Sequence, residues 1–104
     1  MTGFLGRIFG IENKNDFRVL LDNGAILLDV RTKEEHKQEA VVNSINIPLD
    51  SLSNNLSKLK KGKPIIVVCA SGMRSRSGVA ILKAEGFSEV YDGGSWFNFK
   101  TKNV

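Results

Sequence analysis

The sequence contains a single cysteine, Cys69, and only two prolines in 104 residues. A lone cysteine excludes an intrachain disulfide framework and any zinc site that is built from several cysteines. An unpaired thiol is also typical of proteins in a reducing compartment, so we expect a cytoplasmic protein.

The chain has no apolar run that approaches the roughly 20 residues of a membrane-spanning helix. Its first ten residues include several large apolar side chains, but Arg7 and three glycines interrupt them. They therefore lack the uninterrupted apolar stretch of a secretory signal peptide. We interpret residues 1–10 as an N-terminal arm and residues 11–104 as one domain, and we expect no membrane partner.

Acidic residues are absent from residues 51–84, although the whole chain has a formal net charge of +4. The basic residues of the same segment are Lys58, Lys60, Lys61, Lys63, Arg74, Arg76 and Lys83. This region is expected to favour anions, and a solvated lysine-rich turn around Gly62 is the alternative interpretation of its lysines. Nucleic acid is not predicted as a partner, because these basic residues are not interleaved with aromatic ones.

The composition, 41% hydrophobic and 25% charged, is that of an ordinary globular domain. The two strongest apolar runs, residues 25–30 and 65–69, are typical of strands that are covered on both faces of a parallel sheet. Shorter strands are predicted at residues 44–47 and 90–91, followed by a turn at Gly93-Gly94.

Helical patterns alternate with these strands. Thr32 and Glu35 have the spacing of a capping box, which predicts a helix over residues 33–38. Asp50 is expected to cap the next helix, which carries leucines at helical spacing, and a further helix follows Cys69. Alternating strands and helices imply right-handed crossovers, and so predict an α/β fold with a parallel sheet between two layers of helices.

The lone cysteine is predicted at the carboxyl end of the central strand, where parallel sheets bind their ligands. The next residues, 70–74, are mostly small and bend into a helix, so that main-chain N–H groups can point at the sulfur. The helix dipole contributes about 0.3–1 kcal/mol, less than the roughly 1.4 kcal/mol of one pKa unit, so the N–H groups and an arginine must supply the remainder. Alternatively, Cys69 is simply the last apolar residue of a core strand.

Several short motifs stand in order at compatible spacing along residues 11–99. They are Asp29-Val30-Arg31, Glu35, Ile45-Asn46-Ile47-Pro48-Leu49, the segment 65–75 with its cysteine, Gly86-Phe87, Val90-Tyr91, Gly93-Gly94 and Trp96. Together they resemble the single-domain rhodaneses, which are small thiosulfate sulfurtransferases. The resemblance implies a three-layer α/β/α domain with a central, mainly parallel sheet of about five strands.

The activity that this resemblance implies is the transfer of sulfane sulfur. The Cys69 thiolate would attack the outer sulfur of thiosulfate or of a persulfide donor and hold that sulfur as a persulfide, until a thiol, a protein or cyanide accepts it. No metal and no organic cofactor is implied. We expect a small anionic donor, a thiol or protein acceptor, and a monomer or weak dimer; the alternative is a non-catalytic rhodanese-like binding or sulfur-carrier module.

The resemblance also implies roles for individual residues, with Cys69 as the nucleophile. The residues whose main-chain groups would bind the substrate are Ala70, Ser71, Gly72, Met73 and Arg74. Three residues are candidates for support: Ser75, Asp29 and Arg31. The Arg74 side chain can point inward at the anion or outward to an aspartate, Ser75 can cap the helix or donate a hydrogen bond, and Asp29 can make a structural hydrogen bond or pair with an arginine near the site.

Two details separate this chain from related patterns. Four residues lie between Cys69 and Arg74, whereas the phosphatases that resemble rhodaneses have five, so sulfur transfer is favoured over phosphatase or arsenate reductase activity. The family's usual Gly-His-Ile is replaced by Glu39-Ala40-Val41, so the customary histidine is absent at Ala40. His36 is expected on an exposed helix surface without a catalytic role.

Overall fold

A computed structural model describes residues 14–100, so the predicted arm at residues 1–10 lies outside the described residues. The strands are β1 (Ile26–Asp29), β2 (Ile45–Asn46), β3 (Ile65–Cys69) and β4 (Val90–Ser95). The α-helices are α1 (Lys14–Asp22), α2 (Lys33–Gln38) and α3 (Met73–Ala84). Three 3₁₀ helices complete the described chain: Leu49–Asn54, Leu56–Lys58 and Trp96–Phe99.

The sheet has the strand order β2-β1-β3-β4, and every neighbouring pair is parallel. This confirms the predicted α/β class; the described residues form four strands where about five were expected. Asp29 pairs with Val68, and Cys69 pairs with Ser95. The carboxyl ends of the three longer strands therefore meet at one edge, which is where the cysteine lies.

Both faces of the sheet are covered, because all five residues of β3 are buried. On one face, Val67 and Cys69 pack in a cluster with Leu82 of α3 and with Leu52. On the other face, Ile66 and Val68 pack in a second cluster with Phe17 of α1. The continuous apolar run of β3 thus serves two cores, which confirms the three-layer arrangement.

The prediction of one α-helix after Asp50 is wrong, because the type of helix differs. The segment forms two 3₁₀ helices, the first of which has Pro48 at its N-cap and no side-chain capping bond. Serine and asparagine side chains compete here for main-chain groups: Ser51 Oγ donates to the Pro48 carbonyl at 3.2 Å and Asn55 Nδ2 to the Ser51 carbonyl at 2.8 Å. The predicted leucines still face the core, since Leu52 is fully buried.

The turn predicted at Gly93-Gly94 is also wrong, because β4 runs through both glycines to Ser95. The register of β4 against β3 shifts at this point. A Cβ at Gly93 would lie 2.8 Å from Ile66 Cγ2 and 2.9 Å from Val68 Cγ1. Glycine is therefore needed for close packing inside a strand and not for a chain reversal.

The residues that directly follow Glu39-Ala40-Val41, the replacement of the usual Gly-His-Ile, form a turn with polar support. Asn43 adopts a positive φ of 70°, a conformation that asparagine tolerates better than most residues. The Ser44 hydroxyl donates to the Val41 carbonyl at 2.8 Å and lies 2.9 Å from His36 Nε2. His36 is therefore half-buried and bonded within this turn, and the exposed position expected for it is wrong.

None of the helices in the part of the chain that the structure describes is long and apolar enough to cross a bilayer.

Candidate functional site

Two main-chain amides converge on the sulfur of Cys69 at the end of β3. The Gly72 N–H donates to Sγ at 2.9 Å and the Ser75 N–H donates to it at 3.3 Å. Gly72 makes this possible with a φ of 103°, which turns the chain back over the sulfur before α3 begins. We call residues 69–74 the cysteine loop. Of the amides of residues 70–74 that the sequence led us to expect at the sulfur, those of Gly72 and Ser71 act on it, and the other donor, Ser75, lies just after the loop.

The cysteine itself is buried, with 0% of its surface exposed. Burial raises the pKa of the Cys69 thiol, but the amides of Ser75 and Gly72, the Ser75 hydroxyl and the Ser71 amide together outweigh it. The net effect is a thiol pKa below its ordinary value. Hydrogen bonds to the charged form thus favour a thiolate even in a poorly solvated position.

Arg74 of the loop points outward, and its partner is a glutamate and not an aspartate. Its Nη1 lies 2.8 Å from Glu35 Oε1 and its Nη2 lies 3.1 Å from Glu35 Oε2. Hydrogen bonds from the Arg74 side chain and the Thr32 amide lower the pKa of Glu35 to about 2. Glu35 also completes the predicted capping box with Thr32, so one carboxylate ties the start of α2 to the cysteine loop.

The sequence identified Glu35 as a capping residue and as part of the motifs that carry the resemblance, but not as the partner of Arg74, because nothing in the local pattern pairs it with a residue 39 positions away.

Ser75 is fully buried and supports the loop through both its amide and its hydroxyl. The hydroxyl lies 3.0 Å from the Gly72 carbonyl and 2.7 Å from Asp92 Oδ1. The same Asp92 oxygen accepts a hydrogen bond from the Gly94 amide at 3.0 Å. Asp92 thus links β4 to the loop; sequence reasoning missed it, and the Gly93-Gly94 pair directly after it is the only local signal that marks it.

Replacing Ser75 with alanine should raise the pKa of the Cys69 thiol, because the Ser75 hydroxyl is one of the groups that lower it. Less of the thiol would then be ionised at neutral pH. The rate of iodoacetamide alkylation, measured against pH, should show its midpoint at higher pH than in the parent protein. Ser77→Ala, at an exposed position of the same helix, is the matched control; an unchanged or lower midpoint in Ser75→Ala would contradict the assignment.

Asp29 and Arg31 form a buried ion pair beside the site. Arg31 Nη2 donates to Asp29 Oδ2 at 2.8 Å and to the Glu39 carbonyl at 2.8 Å, and the guanidinium lies 4.2 Å from the centre of the Trp96 ring. Asn46 Nδ2 donates to the main-chain carbonyls of both residues. The hydrogen-bond partners described for this pair all lie outside the cysteine loop, although the charge of Asp29 also acts on Arg74 of the loop.

Two cavities flank the cysteine loop. A cavity of about 450 Å³ is lined by Arg74 together with Val30, Thr32, Lys33, Glu34, Pro48, Leu49 and Asp50. A larger one, about 800 Å³, is lined by Ser71, Gly72, Met73 and Arg76, and by residues of α3 and β4. Arg74 therefore lines one cavity and Arg76 the other. Ala70, Ser71 and Met73 are exposed at its surface.

Within residues 14–100 no group of three or more histidine, cysteine, aspartate or glutamate side chains is arranged to hold a metal ion. A sulfur whose ionised form is hydrogen-bonded can attack an electrophilic centre, and the same amides can then hold a negative charge on the product.

The chain is similar in sequence and in fold to known proteins. Residues 13–102 match the model of a family described as a rhodanese-like domain. The chain is 35% identical over 79 residues to the thiosulfate sulfurtransferase GlpE of Pseudomonas savastanoi pv. phaseolicola, with 74% of each protein covered. It is 40% identical over 92 residues to the rhodanese domain-containing protein CG4456 of Drosophila melanogaster, with 73% of this chain and 82% of that protein covered. A solved structure of a rhodanese-like domain protein from Staphylococcus aureus superimposes with a TM-score of 0.73 at 28% identity, covering 88% of this chain and 90% of that one.

Proposed function

The chain belongs to the rhodanese-like domain family, and from this premise we propose that it transfers sulfane sulfur through a persulfide on Cys69. Relatives that are named thiosulfate sulfurtransferases support this activity at the level of the family. The finer proposal concerns the donor, the covalent intermediate and the residues that stabilise it.

The proposed first step is a displacement at sulfur. The Cys69 thiolate forms a bond to the outer sulfur of thiosulfate, the sulfur–sulfur bond of thiosulfate breaks, and sulfite leaves with the electron pair. In the second step the thiolate of an acceptor, or cyanide, attacks the outer sulfur of the persulfide. The bond to Cys69 then breaks and the thiolate is regenerated, so the cycle needs no external oxidant or reductant.

The observation that carries this proposal is the convergence of the Gly72 and Ser75 amides on Cys69 Sγ. The lowered pKa of the Cys69 thiol increases the fraction of the thiolate, which is the nucleophile. We assign anion binding to the main-chain groups of residues 70–74, and structural support to Ser75. We assign Arg74 an indirect role, because its guanidinium is already bonded to Glu35.

One observation favours the second candidate function, a rhodanese-like module that binds a partner or carries sulfur without turnover. Cys69 Sγ lies in a residue with no exposed surface, so a donor reaches it only when the loop moves. Ala70 and Ser71 are exposed, which places the outer side of the loop against solvent. For the first candidate function, sulfur transfer, we therefore propose that the loop is displaced before each transfer. The protein would act as a monomer or weak dimer in the reducing cytoplasm.

The test is the intact mass of the protein after incubation with thiosulfate. A sulfurtransferase or a sulfur carrier should gain the mass of one sulfur atom, and the gain should disappear when a reductant or cyanide is added. Thiocyanate produced over many cycles would identify the enzyme, and a single stoichiometric release would identify the carrier. An unchanged mass, together with a thiol that does not react with iodoacetamide, would exclude both.

A further inference from the structure

The larger cavity beside the cysteine loop has features that a small donor anion does not need. Its volume is about 800 Å³, and one wall contains Gly72, whose amide donates to Cys69 Sγ. Met73 stands at the edge of this cavity with 78% of its surface exposed. An exposed methionine offers an adaptable apolar contact for a partner, and thiosulfate makes no use of such a contact.

The charges that line this cavity are mostly of one sign. Arg76 and Lys83 of α3 both line it, and both side chains are exposed. The acidic residue among its described lining is Asp92, one oxygen of which already accepts hydrogen bonds from Ser75 and from the Gly94 amide. Arg76 and Lys83, for which no ion-pair partner is described within residues 14–100, therefore make the charge along this cavity mainly positive.

The other cavity provides an internal comparison. Its lining includes Lys33 and Arg74, but also Glu34 and Asp50. Arg74 is moreover neutralised by its two hydrogen bonds to Glu35. Of these two cavities among the described residues, the larger one therefore favours an acidic partner on electrostatic grounds.

We propose that the larger cavity docks a protein acceptor that carries its thiol on an acidic segment. The inference rests on the proposed function and adds the class of acceptor to it. Acidic side chains of the segment would pair with Arg76 and Lys83, and an apolar residue would contact Met73. This places the acceptor thiol at the wall formed by Gly72.

The transfer needs no further reactant. The acceptor thiolate forms a bond to the outer sulfur of the Cys69 persulfide, and the sulfur–sulfur bond to Cys69 breaks. The electron pair returns to Cys69 as a thiolate, and the acceptor leaves as a persulfide. The amides of Gly72 and Ser75 then stabilise the thiolate, as they do in the structure.

The experiment uses the full chain and three synthetic peptides, each with one cysteine flanked by glutamates, by glutamines or by lysines. After loading with thiosulfate and removal of the excess, persulfide transfer to each peptide is followed in a single turnover. At low ionic strength the acidic peptide should react about tenfold faster than its glutamine twin and the basic peptide should react more slowly. The preference should approach one at about 1 M salt, where the screening length falls to about 3 Å.

Charge reversal locates the effect. The variant Arg76→Glu with Lys83→Glu should lose the preference for the acidic peptide and favour the basic one, whereas Lys58→Glu, an exposed lysine outside both cavities, should keep it. Equal rates for all three peptides, or a preference that survives in the double variant, would overturn the inference.

A binding measurement separates this inference from the proposed function. The anisotropy of labelled acidic peptide is titrated with unloaded protein, which requires no sulfur transfer at all. Binding that is weakened about fivefold or more in the double variant supports the docking surface even where thiosulfate leaves the mass of the protein unchanged. If thiosulfate loads Cys69 with sulfur but the acidic peptide is neither bound nor used selectively, the proposed docking surface is wrong. The proposed sulfurtransferase activity is then unaffected.

Discussion

Replacing Cys69 with serine should reduce thiocyanate formation from thiosulfate and cyanide at least about a thousandfold, the scale on which removal of a catalytic nucleophile acts. A serine hydroxyl stays protonated at neutral pH, since the loop amides lower the pKa of an already acidic thiol but cannot ionise an alcohol. Its oxygen also cannot carry a persulfide. The measurement is initial rate against enzyme concentration, with intact mass recorded in parallel.

The loss must be separated from unfolding, because Cys69 is packed in the core on one face of β3. Serine is smaller than cysteine and can still accept from the Gly72 amide, so the thermal unfolding midpoint of Cys69→Ser should fall by only a few degrees. Cys69→Ala, which keeps no polar atom, is the second variant and should be equally inactive. If a folded variant keeps more than about one hundredth of the parent's turnover, the covalent mechanism through Cys69 is wrong.

The sequence predicted those parts of the fold that depend on local pattern. The apolar run at residues 65–69 became β3 with the predicted bounds, and Thr32 with Glu35 formed the predicted capping box. The position of Cys69 at a strand end followed from these elements. Both signals are short in range: one is the burial of consecutive side chains, and the other is a bond between residues three apart.

The wrong predictions concern segments whose conformation depends on contacts beyond the local sequence pattern. Gly93 resembles a turn residue, but its lack of a side chain is used for contact with Ile66 and Val68 across the sheet. The leucine spacing after Asp50 is helical, but polar side chains bonded to the main chain tighten the segment into 3₁₀ turns. In neither case does the pattern of neighbouring residues identify the groups that make these contacts.

The same limit applies to the site. The amides that point at Cys69 follow from a loop of small residues, and these the sequence displays. The Glu35–Arg74 and Ser75–Asp92 contacts each join residues on different elements, at separations of 39 and 17 positions. They arise only because the parallel sheet brings the ends of β1, β3 and β4 to one edge. A single sequence therefore predicts the nucleophile better than the groups that hold its loop.

The buried ion pair of Asp29 and Arg31 is expected to contribute strongly to the stability of the domain. The two side chains are 1% and 5% exposed, and replacing Asp29 with alanine should cost about 3–5 kcal/mol, because an unpaired guanidinium stays buried. For a domain of this size, that corresponds to a thermal midpoint lower by at least about 12 °C. Sulfur transfer at low temperature should persist in the molecules that remain folded, since the hydrogen bonds described for the pair lie outside the cysteine loop and Asp29 acts on Arg74 only through its charge.

Two further variants identify the cause of that loss. Asp29→Asn keeps an acceptor but not the charge, so its midpoint should lie between those of the parent and Asp29→Ala. The double variant Asp29→Leu with Arg31→Met removes both charges, and it should unfold at a higher temperature than Asp29→Ala although it carries one more substitution. If instead the free energy of unfolding of Asp29→Ala lies within about 1 kcal/mol of the parent value, the expected cost of an unpaired Arg31 is wrong. Water would then reach the Arg31 guanidinium, and the Trp96 ring, 4.2 Å away, would be a sufficient partner for it.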